Sequence, residues 1–289
     1  MYRAFITLFT LVAALTASAG DARIVLLAGP PSHGPGDHEH AAGCLLLKSC
    51  LDQVPGVTSE VCRNGWPQDP EAAFSGAATI VIYSDGGGGH PFLQGDRLKT
   101  IGSLMKKGVG LACLHYAVEP TKEAGEKEFL DWIGGCFETD WSVNPTWRAE
   151  FKALPAHAIT RGVSPFSLTD EWYFHMRFRD GMKDMVPILS AVAPAATMNR
   201  PDGTHSGNPA VRESVKRGDR QVLAWASERP GGGRGFGFTG GHFHRNWAND
   251  NYRKVVLNAI LWTAKVEVPA NGVECKITEE SLRQNLDKK

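Results

Sequence analysis

The chain has 289 residues, 31 of them basic and 31 acidic, so its formal net charge is zero. A nucleic-acid surface would need a basic excess on one face, and the composition offers none. Setting aside a candidate leader leaves about 270 residues, ample for one large α/β domain with its own core.

The leader comes first in the chain. Arg3 is a short basic start, Ala4 to Leu15 is an apolar run too short to span a bilayer, and Ala17-Ser-Ala19 is a small-residue cleavage site. Residues 1–19 therefore read as a secretory signal, with the mature protein secreted or periplasmic and free of the membrane. Export permits disulfides among the six cysteines. Cys50 and Cys62, near a helix end and a strand end, are the pair expected to bridge. There is no C-x-x-C pair, which disfavours a zinc knuckle.

Arg23-Ile-Val-Leu-Leu-Ala28 is a continuous apolar run, as in strands buried on both faces of a parallel sheet. Asp37 is a plausible N-cap for a helix reaching about Gln53. Val57 to Cys62 and the β-branched Ala78 to Tyr83 are the next strands. Pro91 opens a helix whose buried face is Leu98, Ile101, Leu104 and Met105. Val109 to Leu114 is a fourth strand, and Glu126 to Ile133 is helical. The pattern loosens over 136–220, with strands expected at 147–153 and 185–192 and a long surface excursion at 195–220. Order returns in strands at 221–226 and 234–239 and in a last amphipathic helix carrying Tyr252, Val255, Val256, Ala259 and Ile260. Residues 265–289 read as a polar, extended tail. Alternation of this kind predicts a three-layer α/β domain over 23–264, a parallel sheet with helices on both faces.

Four of these strands are followed by histidine: His33 after the first, His90 after Asp85 and four glycines, His115 directly after Leu114, and His242 with His244 after Thr239. Ligands of open parallel sheets bind outside the carboxyl ends of the strands. Histidines scattered in sequence thus converge there, with His38 and His40 facing the same edge. Imidazole is both the commonest metal ligand and the usual acid or base near pH 7. If the segment after Thr239 stays extended, His242 and His244 point to one side and share an ion. Glu171 and Asp85 are the carboxylate candidates.

The run Gly86 to Gly89 either offers N–H groups to an anion or makes a tight turn giving room to a substrate. Flat rings suit the apolar faces of sugars, and among the aromatics of the looser segments Trp247 and Trp172 are the candidates for a pocket wall.

Taken in order, the segments Ala28-Gly-Pro-Pro-Ser-His-Gly-Pro-Gly-Asp-His-Glu-His40, Gly110-Leu-Ala-Cys-Leu-His-Tyr-Ala117, Leu168-Thr-Asp-Glu-Trp-Tyr173, Phe238-Thr-Gly-Gly-His242 and Ile260-Leu-Trp262 resemble the ThuA-like, trehalose-utilisation family. The resemblance implies a flavodoxin-like sheet similar to class I glutamine amidotransferases and a link to disaccharide use through keto-sugar chemistry. It also implies a pocket of His33, His40, His115, Glu171 and His242.

The expected function is thus an enzyme acting on a small carbohydrate. His115, Glu171 and His242 are assigned to catalysis, and His33, His40 and His244 to a divalent metal, zinc first. Asp85, Gly87, Gly88, His90, Tyr116, Trp172 and Trp247 are assigned to substrate, and a homo-oligomer is allowed. Its rivals are a sugar-binding protein without catalysis and an amidotransferase-like hydrolase using Cys113. The last is disfavoured because Leu114 and His115 follow the thiol where a glycine is expected, and His244 stands where the partner histidine would be followed by glutamate.

Overall fold

A seven-stranded sheet forms the frame of the computed structural model, which describes residues 21–289. The candidate signal lies outside the described residues. The strands are β1 (Ala22–Ala28), β2 (Val57–Cys62), β3 (Ala77–Tyr83), β4 (Gly110–Leu114), β5 (Gly135–Cys136), β6 (Thr146–Phe151), β7 (Phe166–Glu171), β8 (Arg177–Phe178), β9 (Met185–Val192), β10 (Arg220–Glu228) and β11 (Arg234–Phe238). The main sheet runs β2-β1-β3-β4-β11-β10-β9, while β5 pairs with β8 and β6 with β7 in two small antiparallel ribbons. Pairing is parallel from β2 to β11 and antiparallel from β11 to β9. The reason for the change is the short turn between β10 and β11, which only an antiparallel pair allows.

The helices are α1 (His40–Leu51), α2 (Pro70–Phe74), α3 (Arg97–Lys106), α4 (Glu126–Trp132), α5 (Pro209–Arg217), α6 (Asp250–Thr263) and α7 (Glu279–Arg283). Strand side chains alternate between two cores. Ile24, Leu26, Val81, Tyr83, Ala112 and Leu114 join the core under α1 and α6. Val25, Leu27, Ile80, Ile82, Leu111 and Cys113 join the core under α2, α3 and α4. The three layers expected from the sequence are therefore present. Among the described residues no helix is long and apolar enough to cross a membrane.

Local departures have physical causes. Pro91 opens only a short 3-10 turn, Pro91–Leu93, and α3 starts at Arg97. The 195–220 excursion contains α5, capped by the Asn208 side chain on Val211 N and stopped by Gly218 at φ 73°. Asp37 does not cap α1: its backbone is bridged to Phe243, and the helix begins after Glu39.

The expected Cys50–Cys62 bridge is not formed. Cys50 is bonded to Cys275, 225 residues away, and Cys62 is a free, half-buried thiol. The tail is accordingly not loose. Val268 and Val273 are buried, and the Asp287 N–H donates to Glu39 Oε2 at 2.7 Å. Lys289 Nζ donates to the Asp37 carbonyl. Cross-links that close long loops constrain the unfolded chain most. Cys275→Ser is expected to lower the unfolding free energy by about 2–4 kcal/mol in urea denaturation, with Cys62→Ser leaving it unchanged. The opposite pattern would contradict the pairing.

Candidate functional site

β1 leads out to β2 on one side, and the chain then returns to pair β3 on the other. The loops leaving β1 and β3 therefore part at their carboxyl ends and open a crevice. Gly29 is needed there, because a Cβ on it would lie 2.7 Å from the Ser84 Cβ. The loop after β1 carries His33 and His38, the loop after β3 carries Asp85, the turn after β4 carries His115, and the loop after β11 carries His242.

Three of these histidines sit on left-handed backbone, His33 at φ 58°, His38 at φ 47° and His115 at φ 57°. Such conformations are uncommon for residues with a Cβ and persist only where the surroundings hold them. Here His115 turns sharply off β4, and its Nδ1 lies 2.9 Å from the Thr239 carbonyl. His38 Nδ1 lies 2.7 Å from Asp85 Oδ1. Each contact makes Nδ1 the protonated nitrogen and leaves Nε2 as an acceptor, with the Tyr173 hydroxyl 3.2 Å from that of His115. Those two Nε2 atoms face each other at 3.0 Å.

Two more donors close the figure. His242 Nδ1 lies 3.0 Å from His38 Nε2 and 3.2 Å from Glu171 Oε2. Glu171 Oε2 lies 3.5 Å from His115 Nε2, and one ligand atom from each of the four residues falls within 4.8 Å of the others. A tetrahedral ion with bonds of about 2.0–2.1 Å separates its ligands by about 3.3–3.4 Å. The measured edges bracket that spacing, so His38, His115, His242 and Glu171 fit a divalent transition metal. Burial drives the His38 ring down to about 3, despite the Asp85 hydrogen bond. Burial alone would raise the Glu171 carboxyl, but the facing His115 and His242 hold it below the usual carboxylate range.

Asp170 supports the arrangement from behind, a fully buried carboxylate that sequence reasoning passed over. It accepts from Gly241 N at 2.9 Å and from the Tyr252 hydroxyl at 2.6 Å, fixing the loop that bears His242. The loop 34–39 is zipped to the same segment by His38 N on the His242 carbonyl and His244 N on the Gly36 carbonyl.

The assigned residues divide accordingly. The structure brings His115, Glu171 and His242 together, with His38 as their fourth member in place of the expected metal set. His33 stacks on His38 at 3.6 Å between ring centroids, at the mouth. His40 is buried behind, its Nδ1 on the Pro30 carbonyl and its Nε2 3.7 Å from Asp85. His244 does not join His242: a 3-10 turn begins there and its Nε2 lies 3.0 Å from the Leu282 carbonyl. Asp85 serves His38 rather than substrate. Trp172 and Trp247 are fully buried core residues, so neither forms a pocket wall. Cys113 is sealed inside β4, and burial pushes its thiol well up, which removes the nucleophile reading.

A cavity of about 260 Å³ adjoins the cluster. It is lined by Glu171, His33, Tyr116 and Tyr173 together with Glu119, Asn144, Arg200 and His205. Gly87 edges this space: a Cβ there would approach the Tyr116 hydroxyl to 3.4 Å, while Gly88 has nothing near it. A larger groove of about 870 Å³ lies between α3, α4 and the β10–β11 turn. It sits at the amino ends of the parallel strands, away from the histidines, and ligands of such sheets bind at the other edge.

A family profile described as ThuA, trehalose utilisation, matches residues 71–263. No curated protein matches the chain. Among solved structures, a putative ThuA-like protein from Bacteroides uniformis is 15% identical over 86% of this chain and 94% of its own, with a TM-score of 0.59. One from Parabacteroides merdae is 14% identical over 90% and 94%, with a TM-score of 0.56. A glutamine amidotransferase from Thermotoga maritima is 9% identical over 92% and 100%, with a TM-score of 0.45.

His90 is also reassigned, since it is buried and shaped by the 3-10 turn it caps. Its Nδ1 accepts from Phe92 N and its Nε2 faces the Ala117 carbonyl, so the neutral ring is the one that fits. Burial drives it from an ordinary 6.5 down to about 4. Between those values the unfolded chain binds the extra proton, so stability is full above about pH 6.5 and falls as the pH drops toward 4. In His90→Asn, denaturation curves from pH 7 to 4.5 should show a decline shallower by up to about 1.4 kcal/mol per pH unit. An unchanged slope would contradict this assignment.

Proposed function

The chain belongs to the ThuA, trehalose-utilisation family, and from that premise and the site geometry we propose that it is an exported, metal-dependent enzyme acting on a sugar or keto-sugar. The observation that carries the reading is the facing pair of acceptor Nε2 atoms of His38 and His115, 3.0 Å apart. Lone pairs so placed repel unless a cation lies between them, and a third imidazole and a carboxylate point to the same place. Nitrogen and oxygen donors in tetrahedral array suit zinc. The Cys50–Cys275 bond supports export, because such bonds persist in oxidising compartments.

His38, His115, His242 and Glu171 would hold a divalent ion, which would supply Lewis acidity to a carbonyl or hydroxyl oxygen of the sugar by taking it as a fifth ligand. The chain's own groups do the rest. Burial and the Glu171 charge hold the Tyr173 hydroxyl protonated; it lies 3.2 Å from His115 Nε2 on the cavity lining, and once a cation takes that nitrogen the hydroxyl would donate to a sugar oxygen. Asn144 Nδ2, 3.2 Å from Glu171 Oε1, fixes that carboxylate. His33 lines the cavity outside the four-donor set and is the imidazole free to take a proton from a carbon beside a carbonyl. A purely sugar-binding role would draw on a tryptophan wall, and Trp172 and Trp247 lie in the core.

The test is turnover of trehalose and of a keto-trehalose, with one ring hydroxyl oxidised, by protein stripped with chelator and by protein reloaded with zinc. Stripping should abolish turnover and zinc restore it. Asp85→Asn, which deprives His38 of its anionic partner, should weaken zinc binding about 10–100-fold in chelator competition. Failure of the zinc-loaded protein to turn over either sugar would contradict the reading.

A further inference from the structure

The cavity beside the four donors is lined by a second acid–base pair with no part in the scheme above. Glu119 leaves the 3-10 turn that follows β4 and is 2% exposed. Its Oε1 lies 2.8 Å from His205 Nε2 and accepts from Thr139 Oγ1 at 3.3 Å, while its buried Oε2 has no partner among the described residues. A carboxylate withdrawn from water needs a partner charge, and His205 is the cation that faces it.

His205 is held for this contact. Its backbone is left-handed at φ 59°, its N–H donates to the Thr139 carbonyl, its carbonyl accepts from Asn144 N, and its ring stacks on Phe137. The segment that carries it also carries Arg200, whose Nη2 donates to Asn144 Oδ1 at 3.1 Å. Both residues line the same cavity as His33 and Tyr173.

We propose that His205 is a catalytic proton donor to the leaving oxygen of the sugar and that Glu119 is the positioning residue that orients it. The proposal rests on the reading of the cavity as a keto-sugar site. With Nε2–H donated to Glu119, the mobile proton is on Nδ1. The acidic C–H of a keto-glycoside lies between the ketone and the glycosidic carbon when the ketone is at the third carbon. His33 takes that proton, the C–O bond to the leaving group breaks with its electron pair on oxygen, and that oxygen takes the His205 proton. The products are an enone and a free alcohol, with no oxidant or reductant consumed. Water then adds to the enone, and solvent returns the proton to His205. Two separate imidazoles, His33 and His205, lining one small cavity suit this division of work.

The two half-reactions separate in heavy water. The probe is trehalose oxidised at the third carbon of one ring, with zinc-loaded protein. Wild type should exchange the C–H beside the ketone for deuterium and cleave the glycosidic bond. His205→Ala should keep the exchange and its zinc, lose cleavage about 100-fold or more, and regain cleavage on addition of free imidazole. Glu119→Gln should fall between the two. Cleavage by His205→Ala at the wild-type rate would overturn the proposal. So would joint loss of exchange, zinc and cleavage without rescue, which marks a structural latch. Absence of both half-reactions in wild type would instead strike down the keto-sugar reading, and this inference with it.

Discussion

Three imidazoles and a carboxylate converge on one point, where the acceptor nitrogens of His38 and His115 face each other at 3.0 Å, and much of the local structure exists to hold them there. Asp85 and the Thr239 carbonyl each take the Nδ1 proton of one ring, which turns His38 Nε2 and His115 Nε2 inward. Asp170 fastens the loop that carries His242, and the backbone bridge between Asp37 and Phe243 ties that loop to His38. Left-handed backbone at His38 and His115 is part of the cost of the arrangement. In the proposed metal site, a cation between these nitrogens would turn their repulsion into attraction.

The sheet supplies the platform. Because β1 and β3 lie side by side while their outgoing loops diverge, the crevice falls where the histidine-bearing loops begin. The sharp turn after β4 presents His115, two residues beyond a sealed Cys113. The same turn continues to Glu119, so one short segment of chain supplies both His115 to the donor cluster and Glu119 to the cavity lining. The tail adds a tie from outside: its bond to Cys50 and its contacts with Glu39 and Asp37 press on the loop that bears His38.

Much of this was legible in the sequence. Apolar runs and their spacing define the strands, and the histidines that follow them mark the functional edge. His115, Glu171 and His242 come together as the order of segments suggests. What was not legible depended on direction rather than on position. His38 looked like a neighbour of a helix start, because nothing local reveals its left-handed backbone or the pull of Asp85 from another loop. His244 looked like a second ligand only on the assumption of extended chain, and a 3-10 turn rotates it onto Leu282. Trp172 and Trp247 have the chemistry of a sugar platform, yet their bulk fills the core under α6. The Cys50–Cys275 bond spans too much chain for spacing to show, and His205 sits in a segment whose periodicity says only that it is a loop.

The most direct test of the central claim is X-ray absorption spectroscopy of zinc-loaded protein, wild type and His38→Ala. The account predicts one equivalent of zinc with three nitrogen and one oxygen neighbour at about 2.0–2.1 Å, and one imidazole fewer, or no zinc retained, in the variant. An ion coordinated mainly by water, or a His38→Ala spectrum identical to wild type, would contradict it.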